Sequence, residues 1–264
     1  MGHILVYDLE TKKTFDEVGG AENTHLLEIS VAGIYNYTDD KYFALRENEL
    51  DQFEKWLEDC DLLIGFNSLH FDNRVLAPYL KKVDLSRLNN LDMMKDFQDH
   101  LGFRVKLDNV ASSTLAEGKS GSGLDAIRYY RLGQWDKLNS YCLDDVRVTR
   151  DVYEYGKNHG YVWYLESGNP TKIPVNWSDE PVVDELIETA LAEHRQLEIV
   201  YIKPKTGPND KTTRYTTLLD IRKVDDKKIT AFSHTDQKEK VFDRMRIFSA
   251  HLNGKSSAYQ QSLI

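Results

Sequence analysis

Two carboxylates one residue apart close an apolar run near the start of the chain. The run reads ILVYDLET and places Asp8 and Glu10 at positions i and i+2. Side chains at i and i+2 of a β-strand point to the same face, so we expect the two acids side by side. Like charges in a half-buried place repel each other. A divalent cation such as Mg²⁺ or Mn²⁺ favours such oxygen ligands and would remove the repulsion. The alternative is an ordinary strand end with one solvated acid.

Two later groups of polar residues could complete such a site. The segment GFNSLHFDNRVL carries Asn67 and Asp72. Asp72 could equally cap a helix, and Asn67 could be a turn residue. The segment YCLDDVRVTRDVY carries Tyr141 and Asp145, which are four residues apart and so share one face of a helix. Each group alone also fits a structural role, with Tyr141 partly buried and Asp145 on the surface.

The elements that must hold these residues follow from the hydrophobic pattern. Strands are predicted at residues 4–11, 26–37, 41–46 and 61–66, and helices at 47–60, 72–82, 107–115, 124–132 and 134–158. The segment EGKSGSG, residues 117–123, has the composition of a loop. Strands first and helices interleaved afterwards indicate an α/β domain with a mixed sheet.

The order of the three polar groups carries more information than any one of them. A strand ending in DLET, the segment NSLHFD before a helix and YCLDD on a late helix follow one another along the chain. This set resembles the DEDD 3′–5′ exonucleases of the ribonuclease H-like fold, in their tyrosine branch (DEDDy). The stretch LDMMKDFQDHLGFRVKLDNVASSTL is similar to the predicted-exonuclease branch of that superfamily. The resemblance covers residues 1–157 and implies a ribonuclease H-like mixed β-sheet flanked by helices.

The resemblance also implies roles for the acids and the tyrosine. Asp8, Glu10 and Asp145 would converge on one metal ion, and Asp8 with Asp72 would hold a second. Two such ions, Mg²⁺ or Mn²⁺, about 3.5–4 Å apart stabilise the attacking and the leaving oxygen of a phosphodiester. Tyr141 would orient the attacking water, since a tyrosine with an ordinary pKa of about 10 is a poor base at neutral pH.

Three neighbouring residues have less definite roles. By the same resemblance, Thr11 and Asn67 would contact the terminal nucleotide of the substrate or brace the acids, and a purely structural role is equally open for both. Asp144 is the fallback for the role of Asp145, although its angle around the helix relative to Tyr141 fits less well.

The C-terminal part has another organisation. GYVWYLESGNPTKIPVNW predicts a β-hairpin connector at residues 159–178. A helix at 181–195 and four strand-like runs follow, and they resemble a WYL-type domain, a small SH3-like β-rich module of bacterial regulators that bind nucleic acid or small ligands. The strand that would carry the namesake tripeptide reads KKITAFSH instead. We therefore expect domains at 1–158 and 179–253, the second a divergent WYL-like β-barrel, and a flexible tail at 254–264.

Basic and aromatic residues of this second domain allow two interpretations. Arg244 and Arg246 either pair with neighbouring acids or contact a phosphate backbone through their bidentate guanidinium groups. Tyr201 and Tyr215 either pack the core or stack on bases. The aromatic residues of the hairpin likewise form either a stacking ledge or a packed structural contact.

Composition and charge limit the classes of protein. The formal net charge of −9 lies wholly in residues 1–178, which carry 20 basic and 29 acidic residues. This excess argues against a protein that coats nucleic acid by bulk charge. No apolar run is long enough to span a membrane, and no secretory signal is expected. Two cysteines, Cys60 and Cys142, fit neither a metal motif nor a disulfide framework and indicate a cytoplasmic protein.

These observations favour a metal-dependent 3′–5′ exonuclease that acts on single-stranded DNA or RNA. Its C-terminal domain would guide the substrate or engage a protein partner. One alternative is a nucleic-acid or ligand-sensing regulator in which the nuclease fold mainly binds. Another is a proofreading subunit of a polymerase.

Overall fold

The structure is a computed structural model that describes residues 2–117, 123–204 and 212–257. Most of the loop expected at residues 117–123 lies outside this part of the chain. The chain divides into two compact units. The first comprises Met1–Asp108 and Gly118–Asp151, and the second comprises Asn109–Glu117 and Val152–Ile264.

A five-stranded mixed sheet forms the centre of the first unit. Its strands are β1 (Ile4–Thr11), β2 (Ile29–Asn36), β3 (Lys41–Arg46), β4 (Leu62–Gly65) and β5 (Asn90–Asp92). Their order across the sheet is β3-β2-β1-β4-β5. The first three strands pair antiparallel, whereas β1–β4 and β4–β5 pair parallel. The sequence-based expectation of a mixed sheet is therefore confirmed.

The described residues 2–117, 123–204 and 212–257 contain seven α-helices. They are α1 (Leu50–Glu58), α2 (Asp72–Leu76), α3 (Met93–Leu101), α4 (Leu107–Leu115), α5 (Gly123–Arg131), α6 (Trp135–His159) and α7 (Val183–Ala192). None of them combines the length and the apolarity that crossing a bilayer requires.

The alternation of β1 gives its two faces different partners. Leu5, Tyr7 and Leu9 belong to a buried cluster that also contains residues of α1 and α2. The intervening residues, Asp8 and Glu10, point to the opposite face. On that face Val31 of β2 packs with residues of α5 and α6. The sheet of the first unit is thus covered by helices on both faces, as expected.

An antiparallel sheet forms the core of the second unit. Its strands are β8 (Arg195–Ile202), β9 (Arg214–Val224), β10 (Lys228–Ser233), β11 (Lys238–Asp243) and β12 (Ile247–Ser256), in the order β11-β10-β9-β8-β12. Helix α7 packs on this sheet through Val183, Ile187 and Ala190. The predicted hairpin is present as β6 (Tyr161–Glu166) paired with β7 (Asn169–Pro174). The β-rich character expected for the C-terminal region is confirmed.

Several elements differ from the sequence-based expectation. The helix predicted for residues 72–82 ends at Leu76, because Pro78 follows and the chain continues as a 3₁₀ turn. Strand β5 was not predicted, since a strand of three residues carries almost no periodic signal. Helix α3, which follows it directly, was not predicted either. The run KVFDRMRIFSAHL forms two strands separated by a 3₁₀ turn at Arg244–Arg246. Strand β12 continues to Ser256, so the expected tail is extended strand over its first residues, and residues 258–264 lie outside the described chain.

Candidate active site

Strand β1 presents the two carboxylates of the first motif together. Asp8 pairs with Gly33 of β2 across the antiparallel ladder, and the register shifts at a bulge directly after Glu10. One carboxylate oxygen each of Asp8 and Glu10 and the sulfur of Cys142 lie within 4.8 Å of one another. Glu10 is buried and Asp8 is half-buried. The side-by-side arrangement expected from the i, i+2 spacing is therefore present.

Helix α6 brings the third motif to the same place because Gly33 lets it approach closely. A Cβ atom at Gly33 would lie 2.8 Å from the Cys142 sulfur, 2.9 Å from Cγ2 of Val146 and 3.3 Å from the carbonyl oxygen of Cys142. Real Cβ atoms essentially never approach other atoms to less than 3.0 Å. Only glycine therefore allows the helix to lie this near the sheet, and this contact sets the height of Tyr141 and Asp145 above β1.

The surroundings of Cys142 show how closely the acids gather. Its thiol is fully buried and donates a weak hydrogen bond to the backbone oxygen of Asp8 at 3.6 Å. Burial raises the pKa of the thiol well above its ordinary value, and the negative charges of Asp8, Glu10 and Asp145 raise it further. Carboxylates from strand β1 and helix α6 thus surround one buried group.

Asp72 approaches β1 from another direction. It is the first residue of α2, it is buried, and its carboxylate accepts a hydrogen bond from the backbone N–H of Leu9 at 3.0 Å. The cap position of α2 is Phe71, so the helix-cap alternative for Asp72 is wrong. Burial raises the pKa of the neighbouring Tyr7 hydroxyl, and the charge of Asp72 contributes to this shift. The second motif is thus anchored to the backbone between Asp8 and Glu10.

Asn67 holds a turn in the loop before Asp72. Its φ of 65° lies in the left-handed region, which asparagine tolerates better than most residues. Its backbone N–H donates to Asp92 at 2.8 Å, and the N–H of Leu69 donates to the same carboxylate at 3.0 Å. Arg104 donates to the side-chain oxygen of Asn67. This placement matches the turn alternative.

A cavity of about 390 Å³ opens beside the acids. Its polar lining includes Asp8, Glu10, Thr11, Tyr141 and Asp145. Its lining also includes the apolar residues Leu9, Phe15, Leu27, Phe71, Leu124 and Ile127. Five of the seven residues singled out from the sequence therefore face one cavity, and Asn67 and Asp72 are not among its described lining residues.

The apolar wall and one cation are features that the sequence reasoning missed. The rings of Phe15 and Phe71 meet edge to face with centroids 6.0 Å apart, and Phe15 and Leu124 are large exposed apolar residues. Lys13 also lines the cavity, and its ammonium group pairs with Glu28. A cluster of apolar residues beside the carboxylates is detectable only once β1, α2 and α5 are assembled.

Asp144 has a different environment from Asp145. Its carboxylate accepts hydrogen bonds from the guanidinium group of Arg147 at 2.9 and 3.0 Å. It does not line the cavity among the described residues, whereas Asp145 does. Asp144 is therefore no substitute for Asp145 in this geometry.

The donor set fits a hard divalent cation. Asp8, Glu10 and Asp145 offer carboxylate oxygens in the lining of the cavity, and such ligands suit Mg²⁺ and Mn²⁺. Cys142 lies close enough to be counted with the ligands. Its sulfur, however, fills the space above Gly33 and has no exposed surface, so we assign it to packing.

Basic residues of the second unit are engaged with acids of the same unit. Arg244 pairs with Asp184 of α7 at 2.8 Å, and Arg222 pairs with Glu239 at 3.1 Å. The ring of the buried Tyr201 packs against Phe242 at 5.1 Å. These contacts favour the structural interpretation of this region over a continuous phosphate-binding strand.

Comparisons with known proteins agree with the architecture of the first unit. Residues 7–156 match the family model RNase_H_2, described as RNase_H superfamily. None of the curated proteins compared with the chain matches it. One similar solved structure is the cryo-EM structure of the simian T-cell lymphotropic virus intasome in complex with PP2A regulatory subunit B56 gamma. It shares 9% sequence identity, with 96% of this chain and 82% of that chain covered and a TM-score of 0.20.

Proposed function

The chain belongs to the RNase H superfamily, and this membership suggests nuclease activity on nucleic acids. We propose that the protein is a metal-dependent 3′–5′ exonuclease. Its substrate would be single-stranded DNA or RNA, and it would belong to the tyrosine branch of the DEDD enzymes. The observation that carries this proposal is the cavity lined by Asp8, Glu10, Tyr141 and Asp145. A protein that only binds nucleic acid has no need of three carboxylates around one cavity.

The carboxylates would hold two divalent cations, Mg²⁺ or Mn²⁺. Asp8, Glu10 and Asp145 supply the ligands that line the cavity, and Asp72, bonded to the backbone of Leu9, would act beside them directly or through water. When bound, the cations stabilise the charge on the attacking and leaving oxygens of the phosphodiester. The four acids would also balance the charge of these cations, which explains why the sequence tolerates their mutual repulsion.

Tyr141 and the apolar wall would position the reactants. Tyr141 is buried on the same face of α6 as Asp145, so its hydroxyl is held in a fixed position from which it can orient a water molecule. Phe15 and Phe71 offer aromatic surface to a terminal base, and base–aromatic stacking tolerates every base. The hydroxyl of Thr11 donates to the carbonyl of Lys13 at 3.0 Å, so Thr11 would shape the rim near the nucleotide. Asn67 would act indirectly by holding the loop that leads to Asp72.

For the second unit we propose a guiding role. Its resemblance to a WYL-like module supports recognition of the nucleic-acid strand or of a protein partner. Its arginines are largely paired, so recognition through shape and single exposed groups is favoured over a broad basic surface.

The direct test compares two adjacent aspartates. The full-length protein is incubated with DNA and RNA oligonucleotides labelled at the 5′ end, with Mg²⁺, Mn²⁺ or EDTA. We expect a ladder that shortens from the 3′ end and requires a divalent metal. Asp145→Asn should abolish it. Asp144→Asn, which changes the neighbouring carboxylate that pairs with Arg147, should retain it.

Three results would contradict the proposal. Equal loss of activity in both variants would mean that the aspartates act through the fold of α6. Shortening from the 5′ end would reverse the polarity. Retained binding in EDTA with no cleavage under any metal condition would favour the regulatory alternative.

A further inference from the structure

A cationic and aromatic surface lies beside the carboxylates, on the same face of the sheet of the first unit. Glu10 pairs with Val31 of β2, and Val31 pairs with Arg46 of β3. Residues directly opposite one another on adjacent strands point to one face, so Arg46 is on the face that carries Glu10. Neighbouring strands lie about 4.8 Å apart, which separates the two backbones by about 10 Å. Arg46 is thus placed a short distance beyond the cavity.

The guanidinium group of Arg46 lies on an aromatic ring and keeps its hydrogen-bond donors available. Its central carbon is 4.2 Å from the centroid of the Trp135 ring, at the start of α6. This contact uses the flat face of the guanidinium group, whereas the N–H groups point outward in its plane. Arg46 is exposed, and among the described residues it forms no ion pair with a carboxylate. Its charge is therefore available to an anion.

Two neighbouring cations differ from Arg46 because they are already paired. Lys12, directly after β1, pairs with Glu47 at 2.5 Å, and Arg131, at the end of α5, pairs with Glu17 at 2.6 Å. Residues 1–178 carry an excess of acidic side chains. An exposed arginine without a carboxylate partner is the group in such surroundings that can receive a phosphate, through the bidentate geometry of its N–H groups.

A series of contacts links the cavity to Arg46. Lys12 lies between two residues that line the cavity, and its ammonium group is 5.9 Å from the centroid of the Tyr130 ring. The Tyr130 ring meets the Trp135 ring edge to face at 5.6 Å. Both rings are partly exposed and pack against the buried cluster that contains Tyr141. Aromatic surface therefore continues from the carboxylates to the arginine.

We propose that Arg46, Trp135 and Tyr130 form a second contact site for the single-stranded substrate, on the 5′ side of its terminal nucleotide. Arg46 binds a backbone phosphate, and the two rings contact bases by stacking, which tolerates every base. The inference rests on the nuclease function proposed above, because it places the 3′ end of the strand in the carboxylate cavity. It makes strands of several nucleotides better substrates than dinucleotides.

The test compares the two ends of β3 in the full-length protein. Arg46→Gln and Lys41→Gln each remove one exposed positive charge, and Lys41 points to the opposite face of the sheet. Affinity for a 5′-labelled strand of about ten nucleotides is measured by fluorescence anisotropy in Ca²⁺ at several salt concentrations. The strand carries a phosphorothioate linkage at its 3′ end, which resists hydrolysis. Steady-state rates with Mn²⁺ are measured for the unmodified strand and for an unlabelled dinucleotide.

The dinucleotide separates the two sites because its single phosphodiester is the bond that is cleaved. It therefore has no phosphate left for Arg46. Arg46→Gln should weaken binding of the longer strand about tenfold and raise its KM, with kcat and the dinucleotide rate unchanged. The slope of log K against log salt should fall by about 0.7, the value for one phosphate contact of a single strand. Lys41→Gln should leave both affinity and slope close to wild type.

A further variant tests the ring, and three results discriminate between explanations. Trp135→Leu keeps the charge of Arg46 but removes its support, so it should weaken binding of the longer strand at least about fivefold. Equal effects of Arg46→Gln and Lys41→Gln, or equal loss for the dinucleotide and the longer strand, would overturn this inference and leave the nuclease proposal intact. Wild-type protein that neither binds nor cleaves a strand would overturn both. Binding without cleavage, lost through Arg46→Gln alone, would support this site and reject the nuclease proposal.

Discussion

Replacing Gly33 by alanine tests whether the contact between β2 and α6 sets the geometry of the cavity. The added Cβ would lie 2.8 Å from the sulfur of Cys142 and 2.9 Å from Cγ2 of Val146. Carbon atoms normally approach to about 3.5–4.0 Å. Helix α6 must therefore retreat by roughly 0.6–1 Å, or the two side chains must leave their positions. Tyr141 and Asp145, which lie on this helix, would move with it.

The expected magnitudes follow from that displacement. Overpacking a well-packed contact costs about 1–3 kcal/mol, and removal of a glycine from a strand returns about 0.5–1 kcal/mol. A net loss of about 1–2 kcal/mol in the free energy of unfolding is therefore expected. A displacement of about 1 Å at catalytic groups can lower the rate 10²-fold. Activity should consequently fall much further than stability.

A compensating variant makes the reasoning refutable. Cys142→Ala removes the sulfur nearest to the new Cβ, so in the Gly33→Ala background it should restore part of both stability and nuclease rate. Urea unfolding and the rate of nucleotide release are measured for the four proteins of this cycle. Gly254→Ala is the control, because its added Cβ would meet no atom within 4 Å. Strict additivity of the two changes, or a Gly33→Ala protein with unaltered activity, would refute the proposed role of the contact.

Three further predictions concern single groups. Burial lowers the pKa of His159 to about 4, so the folded unit favours the neutral ring. The free energy of unfolding should therefore fall by about 3 kcal/mol as the pH drops from about 6.5 toward 4, while the full value is present near pH 7. Urea unfolding of His159→Gln should show a flatter pH dependence there, and an unchanged profile would contradict this. Glu54 accepts hydrogen bonds from the backbone N–H groups of residues 81–83, and these bonds lower the pKa of its carboxyl. Glu54→Gln should therefore destabilise the protein by about 2 kcal/mol above pH 5 and by less in acid. Tyr141→Phe should slow cleavage by roughly 10–100-fold with metal affinity unchanged in titration calorimetry, and a parallel loss of metal affinity would make Tyr141 structural.

Much of the candidate site could be predicted because its geometry is local. The i, i+2 spacing of Asp8 and Glu10 and the i, i+4 spacing of Tyr141 and Asp145 each determine a shared face. The alternation of β1 likewise distinguishes the face that packs on α1 from the face that meets α6. These inferences need only the type of the element, which the apolar pattern indicates well.

The remaining features depend on pairings that the sequence does not display. The sequence allows Asp72 to be a helix cap or a ligand, and its bond to the N–H of Leu9 exists only because α2 lies against β1. Gly33 carried a usable signal, since a glycine inside a strand indicates a bulge or a close backbone approach. The identity of its partner, Cys142, depends on the register that sets Gly33 opposite Asp8.

The negative charge of residues 1–178 connects the proposed substrate to the proposed metals. All nine net negative charges lie in residues 1–178, and the cavity adds three carboxylates where an anionic phosphodiester would bind. Without cations the strand should therefore be repelled. Asp8→Asn removes one of these charges, so in EDTA it should bind a single-stranded oligonucleotide more tightly than wild type. The gain is on the order of 1 kcal/mol at low salt, or about fivefold in Kd.

With a divalent metal present the order should reverse, because wild type gains cations that the Asp8→Asn protein cannot hold. Fluorescence anisotropy in EDTA and in Ca²⁺ measures both cases, and Asp144→Asn is the matched control for the loss of one negative charge outside the cavity. If Asp8→Asn and Asp144→Asn change affinity equally in both conditions, only net charge matters, and the strand does not bind at the carboxylates. If only the Asp8→Asn variant binds the oligonucleotide more tightly than wild type in EDTA and more weakly in Ca²⁺, the same carboxylates that repel the substrate are the ones that bind it through metal.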